Sequence, residues 1–127
     1  MPKKILVVDD EVEICSILRQ FFQKLGYDVV TTSDGGSAIA LATQEKPHII
    51  VLDVKMPGTS GVEVLRLLRE GRHPAKIIML SAVKDDDVIK EALRLGADGY
   101  LTKPFHLEHV AQLLASVTGH KPAPPLR

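Results

Sequence analysis

The chain has 127 residues, 16 basic side chains balanced by 16 acidic ones, 45% hydrophobic residues and a single cysteine. That length suits one domain able to bury roughly two thirds of the surface its unfolded chain exposes, and the composition excludes intrinsic disorder. A formal charge of zero removes the usual electrostatic case for binding nucleic acid or an anionic membrane, and the lone Cys15 excludes a disulfide framework.

In chain order, the first apolar run, 5–8, reads as a strand ending in Asp9 and Asp10. A helix is expected over 11–25, where Ile14, Ile17, Leu18, Phe21, Phe22 and Leu25 recur with a period of about 3.6 residues. Asp10 is its expected N-cap, Glu13 stands three residues on, and Gly26 follows its end. A second strand is expected at 27–32 and a second helix at 37–46, stopped by Pro47. The third strand, 49–52, runs into Asp53, and a helix follows at 62–70, opened by Ser60 and Gly61 and closed by Gly71. The fourth strand, 77–80, leads to Ser81. The helix expected at 85–95 carries Asp85, Asp86 and Asp87 at its positive end. The fifth strand, 99–101, leads to Lys103 and Pro104, and the last helix is expected at 104–117. Residues 119–127 contain three prolines and no apolar period, so the domain is taken as 1–118, followed by a proline-rich tail or the start of a linker.

Strand and helix therefore alternate five times. Right-handed crossovers and helices on both faces favour an α/β doubly wound (βα)5 domain, flavodoxin-like, with a five-stranded parallel sheet in the order 2-1-3-4-5. No apolar stretch approaches the ~20 residues of a membrane-spanning helix. The apolar stretch after Lys3 and Lys4 stops at Asp9, too short for a signal peptide, so a cytoplasmic domain without membrane contact is expected.

Residues 1–53 hold 5 basic and 8 acidic residues, net −3, and residues 54–127 hold 11 and 8, net +3. The early acids matter because ligands of doubly wound sheets bind at the carboxyl ends of the strands. Asp9, Asp10, Asp53, Ser81 and Lys103 all stand at such ends and should converge on one rim. Three carboxylates at one rim repel one another unless a cation neutralises them. All-oxygen ligands suit a hard ion, Mg²⁺ or, in its place, Mn²⁺. An acidic trio, a divalent cation, a lysine and a hydroxyl are the parts of an acyl-phosphate site. Asp53, ending the central strand, is the expected nucleophile, with Asp9 and Asp10 holding the metal.

The strings KKILVVDDE at 3–11, IIVLDVKMPGTSGVEVL at 49–65, IIMLSA at 77–82 and GADGYLTKPF at 96–105 resemble the receiver domain of two-component response regulators. The resemblance covers residues 3 to about 118 in the family's order and spacing. It implies transfer of a phosphoryl group from the phosphohistidine of a sensor histidine kinase, or of a histidine phosphotransfer protein, to Asp53. It implies Mg²⁺ on Asp10, Asp53 and the backbone carbonyl of Lys55, with Asp9 assisting. It also implies that Lys103 contacts the phosphoryl group and that the peptide joining Lys103 to Pro104 is cis. Ser81 is then the switch hydroxyl and Tyr100 the switch aromatic, which together remodel the face of helix 4, strand 5 and helix 5. That face would serve a downstream protein or a covalently linked effector domain, with the receiver as a monomer or a phosphorylation-dependent dimer. The domain would be a phosphoacceptor switch rather than a turnover enzyme.

Each residue also has a plainer reading. Asp9 and Asp10 alone could be a strand end and a helix cap, and Ser81 alone a turn residue. Lys103 alone would be a solvated lysine, and Tyr100 alone half-buried packing. His106 and His109 share a helix face but lack a third ligand for zinc. Two positions depart from a generic receiver site: Lys55 and Val83 should both stand near the phosphoryl group. Gly99 replaces a common acid, and Leu113 and Ala115 stand where basic residues used in dimerisation are frequent. Three rival classes fit the residues less well. A flavin-mononucleotide protein needs a Ser/Thr/Gly-rich phosphate loop after strand 1, where this chain has Asp9, Asp10 and Glu11. A haloacid-dehalogenase phosphatase needs a second Asp two residues after the nucleophile, where this chain has Lys55. A pseudo-receiver, a phosphorylation-independent binding module, would have lost acidic or lysine positions that are present here.

Overall fold

The apolar runs form five parallel strands in the computed structural model, which describes residues 3–56, 58–82 and 86–119. The order is β1 (Lys4–Val8), α1 (Val12–Lys24), β2 (Asp28–Thr32), α2 (Gly35–Glu45), β3 (Ile49–Asp53), α3 (Gly61–Glu70), β4 (Lys76–Ala82), α4 (Asp86–Arg94), β5 (Gly99–Lys103) and α5 (Leu107–Thr118). The strands lie side by side as β2-β1-β3-β4-β5, the flavodoxin-like order expected from the sequence. Among the described residues no helix is long and apolar enough to cross a membrane.

The inner strands lack polar alternation because both of their faces are dry. Successive strand side chains point to opposite faces. Leu6, Val8, Ile50, Leu52, Ile77 and Met79 pack with Ala38, Ala42, Val64, Leu65, Leu68 and Ala92 of α2, α3 and α4. Ile5, Val7, Ile49, Val51, Ile78 and Leu80 pack with Cys15, Leu18, Phe22, Val110 and Leu114 of α1 and α5. Each fully buried Leu, Ile or Phe stabilises the fold by about 1.5–3 kcal/mol relative to exposure. The edges differ. β2 is only half-buried, and β5 alternates buried Gly99 and Leu101 with exposed Tyr100 and Thr102. Gly99 is small for a packing reason, since a Cβ there would stand 2.8 Å from Leu113 Cδ1. Leu113 is itself packed against the α1/α5 core.

Several helix ends differ from the sequence-based expectation, each for a local reason. The N-cap of α1 is Glu11 rather than Asp10, and its side chain caps nothing. The Glu11 N–H instead donates to Asp9 Oδ1 at 2.8 Å, so the buried acid before the helix substitutes for a cap. α2 begins two residues earlier than expected because Asp34 accepts from the N–H groups of Gly36 and Ser37. α5 begins at Leu107, with His106 as N-cap, because Phe105 is drawn out of the helix to pack against the α1/α5 core. Gly26 does follow α1 with φ +95°, as a helix-terminating glycine should. Asp85, Val83 and the tail residues 120–127, including His120, lie outside the described residues.

Candidate functional site

Parallel pairing brings the acidic strand ends together. Val8 pairs with Leu52, so Asp9, one residue past β1, stands beside Asp53, the last residue of β3. The Asp9 N–H donates to Thr32 O at 3.1 Å, tying this corner to the end of β2. Carboxylate oxygens of Asp9, Asp10 and Asp53 all lie within 4.8 Å of one another, Asp9 and Asp53 buried and Asp10 exposed. Gly61 makes this corner possible. It donates its N–H to Val54 O at 2.9 Å, and a Cβ on it would fall 1.9 Å from Asp53 O. Only glycine lets α3 start so close to the back of Asp53.

Lys103, at the end of β5, reaches the same cluster. Its Nζ lies 2.9 Å from Asp9 Oδ2, 2.9 Å from Glu11 Oε1 and 3.4 Å from Asp53 Oδ2. The contact with Glu11 is a directed hydrogen bond. Asp9 Oδ2, fully buried, receives no directed hydrogen bond among the described residues and has the ammonium as its ion-pair partner. Burial raises the Asp53 carboxyl to about 7, and the Asp9 charge and a hydrogen bond with Asp10 push the same way against the pull of Lys103. Burial alone would depress the Lys103 ammonium. Its contacts with Asp9 and Glu11 and the charge of Asp53 outweigh that and hold it above the ordinary lysine range. Three acids crowd one lysine, and the lysine does not neutralise them all.

The remaining expected residues surround this centre at different distances. Ser81, buried at the end of β4, follows Leu80, the partner of Asp53 in the sheet. Its Oγ donates to Ala82 O at 3.0 Å. Tyr100 does not join the cluster. It is 46% exposed and lines a cavity of about 270 Å³ with Ser81, Ala82, Ile89, Leu93 and Thr102. The peptide between Lys103 and Pro104 is cis. Lys55 is exposed, beside a cavity of about 450 Å³ that also meets Asp10, Met56, Ser60 and Val88. Cys15 lies behind the cluster, its thiol donating to Asp9 O at 3.3 Å, and burial and the Asp9 charge push the thiol pKa up, disfavouring the thiolate. His106 and His109 stack edge to face and bring in no third ligand among the described residues.

Glu11 is the residue that sequence reasoning missed. In the DDE string it reads as the start of a helix. Its place directly after the acid pair is the available signal.

A doubly wound sheet with three carboxylates and a lysine at the carboxyl ends of its strands is the frame of a phosphoryl-accepting signalling domain. A family model described as the response regulator receiver domain matches residues 5–115, and the chain belongs to that family. It is 50% identical, over 106 residues, to the alkaline phosphatase synthesis transcriptional regulatory protein PhoP of Bacillus subtilis. That match covers 83% of this chain and 44% of that protein, so the chain spans less than half the length of this relative. Among solved structures, the chemotaxis protein CheY4 of Vibrio cholerae is 32% identical with a TM-score of 0.86, covering 92% of this chain and 99% of that one. The receiver domain of the Francisella response regulator 1452 is 30% identical with a TM-score of 0.84, covering 92% and 98%. The chain is therefore a receiver domain of a two-component response regulator.

Proposed function

We propose that Asp53 accepts a phosphoryl group from the phosphohistidine of a sensor histidine kinase or histidine phosphotransfer protein. One Asp53 carboxylate oxygen attacks phosphorus as the N–P bond breaks. The electron pair of that bond returns to the imidazole, which takes up a proton, and an acyl phosphate remains on Asp53. The single observation that carries this reading is the convergence of Asp9, Asp10, Asp53 and Lys103 on one rim.

The donor set fits a hard divalent cation. Three carboxylates offer oxygens within 4.8 Å, and among the described residues the buried Asp9 Oδ2 is met only by the Lys103 ammonium. Asp9, Asp10, Asp53 and the backbone carbonyl of Lys55 would hold Mg²⁺ or Mn²⁺, which when bound neutralises charge on the phosphoryl oxygens. Lys103, whose Nζ lies 3.4 Å from Asp53 Oδ2, supplies the second positive charge toward those oxygens. Phosphorylation adds roughly 1.5–2 negative charges. Ser81, whose hydroxyl donates to the neighbouring Ala82 carbonyl, would turn it to the new anion. The cavity between Ser81 and the outward Tyr100 offers that ring an inner position. The face of α4, β5 and α5 thereby has two packings biased by one charge. Its reader is a downstream protein or a covalently linked effector, in a protein acting in the cytoplasm.

Intact-mass measurement after incubation with Mg²⁺ and acetyl phosphate tests the proposal. The wild type should gain one phosphoryl group and Asp53→Asn none. Labelling that persists in the variant moves the nucleophile elsewhere, and no labelling of either leaves a phosphorylation-independent binding module.

A further inference from the structure

Lys103 is shared unequally among three acids: Asp9 Oδ2 and Glu11 Oε1 both stand 2.9 Å from its Nζ, and of these two Glu11 has no assigned role. Of its contacts, that to Asp53 is the longest at 3.4 Å, and Asp9 Oδ2 pairs with the ammonium at 2.9 Å. Glu11 Oε1 takes the directed bond at 2.9 Å. Among the described residues nothing else claims the Glu11 carboxylate. Glu11 occupies the N-cap of α1, where its side chain is longer than the Ser, Thr, Asp and Asn that cap best, and it makes no side-chain cap. Its backbone N–H meanwhile holds Asp9 Oδ1, so one residue fixes both the buried acid and the lysine beside it. The Glu11 side chain is 60% exposed, whereas that of Asp53 is 7% exposed. A solvated carboxylate keeps its charge cheaply and can be abandoned without leaving a buried ion unpaired.

We infer that Glu11 is a positioning residue that holds the Lys103 ammonium away from Asp53 until a phosphoryl group arrives. The ammonium then exchanges the exposed Glu11 for the incoming anion, and the abandoned carboxylate returns to water. Glu11 thus competes with the phosphoryl group for Lys103 and slows its acceptance. The consequence for rate rests on the reading of Asp53 as the phosphoacceptor. The position of Lys103 does not.

The substitution Glu11→Gln keeps the size of the side chain and removes its charge. A crystal structure of the variant should place Lys103 Nζ at about 2.8–3.0 Å from an Asp53 oxygen, an ordinary N–H···O distance. The initial rate of phosphorylation by acetyl phosphate with Mg²⁺ should rise about two- to fivefold, the scale of one exposed ion pair. The same substitution should have no effect on rate in a Lys103→Met background. A lysine that keeps its original position in the Glu11→Gln variant overturns the inference, as does a rate gain that persists without Lys103. A relocated lysine with an unchanged rate refutes the competition. Relocation with neither protein labelled leaves the positioning intact and removes the phosphoacceptor reading instead.

Discussion

Removing one carboxylate from the rim, by Asp53→Asn, should stabilise the cation-free protein at alkaline pH and not in acid. Burial raises the Asp53 carboxyl from 3.8 to about 7, so the folded chain holds a proton there that the unfolded chain releases. A group raised in this way contributes stability that is fully present below pH 3.8 and is lost as pH rises through about 7. The full shift corresponds to a ceiling of roughly 4 kcal/mol, and solvent screening at the open rim reduces it to about 2 kcal/mol. About two thirds of that loss falls between pH 5 and pH 8, so the wild type should lose about 1–1.5 kcal/mol relative to Asp53→Asn over that interval. Urea unfolding followed by circular dichroism, at pH 5, 6.5 and 8 in a chelator, measures the difference, and the histidines common to both proteins cancel. Adding Mg²⁺ to about ten times its dissociation constant should return about 1.4 kcal/mol to the wild type and less to the variant. Stability curves of equal pH slope in the two proteins, or a wild type indifferent to Mg²⁺, would refute the argument that three crowded carboxylates limit this fold.

Two further outcomes follow from the supports of the site. Gly61→Ala forces a Cβ into Asp53 O, and should cost about 1–3 kcal/mol in urea unfolding and slow labelling by acetyl phosphate as the Asp53 backbone shifts. Asp98→Ala removes the carboxylate that accepts from Ile77 N at 2.9 Å and from Arg69 Nη2 at 2.9 Å. It should destabilise by about 1–3 kcal/mol while leaving phosphorylation at saturating Mg²⁺ unchanged, because this network lies at the opposite end of β4 from Ser81.

Fold and site were legible to different depths. The runs at 5–8, 49–52 and 77–80 announced inner strands because two dry faces leave no polar position to disturb the pattern. Asp9, Asp10, Asp53 and Lys103 could be placed on one rim because parallel strands bring all their carboxyl ends to one side. Helix starts were less legible. Asp10 is the better capping residue by type, but the N-cap position fell to Glu11 once Asp9 turned inward and took its N–H. The start of α5 was displaced from Pro104 to Leu107 by the packing of Phe105, a contact with residues distant in sequence.

Local chemistry alone determined the alternation of strand and helix, the doubly wound order and the identity of the acids and the lysine that meet. It also showed that the zero net charge hides an acidic first half. Tertiary structure decided what those charges do to one another: that Asp53 is buried enough to be raised to about 7, and that Tyr100 faces outward beside a cavity. It also decided that Lys103 bonds to Glu11 in preference to Asp53. The division has a physical cause. Periodicity and strand polarity depend on residue type and spacing, which the chain carries locally. The partition of one ammonium among three carboxylates depends on tenths of an ångström and on access to water, and these exist only after β1, β3 and β5 have been packed together.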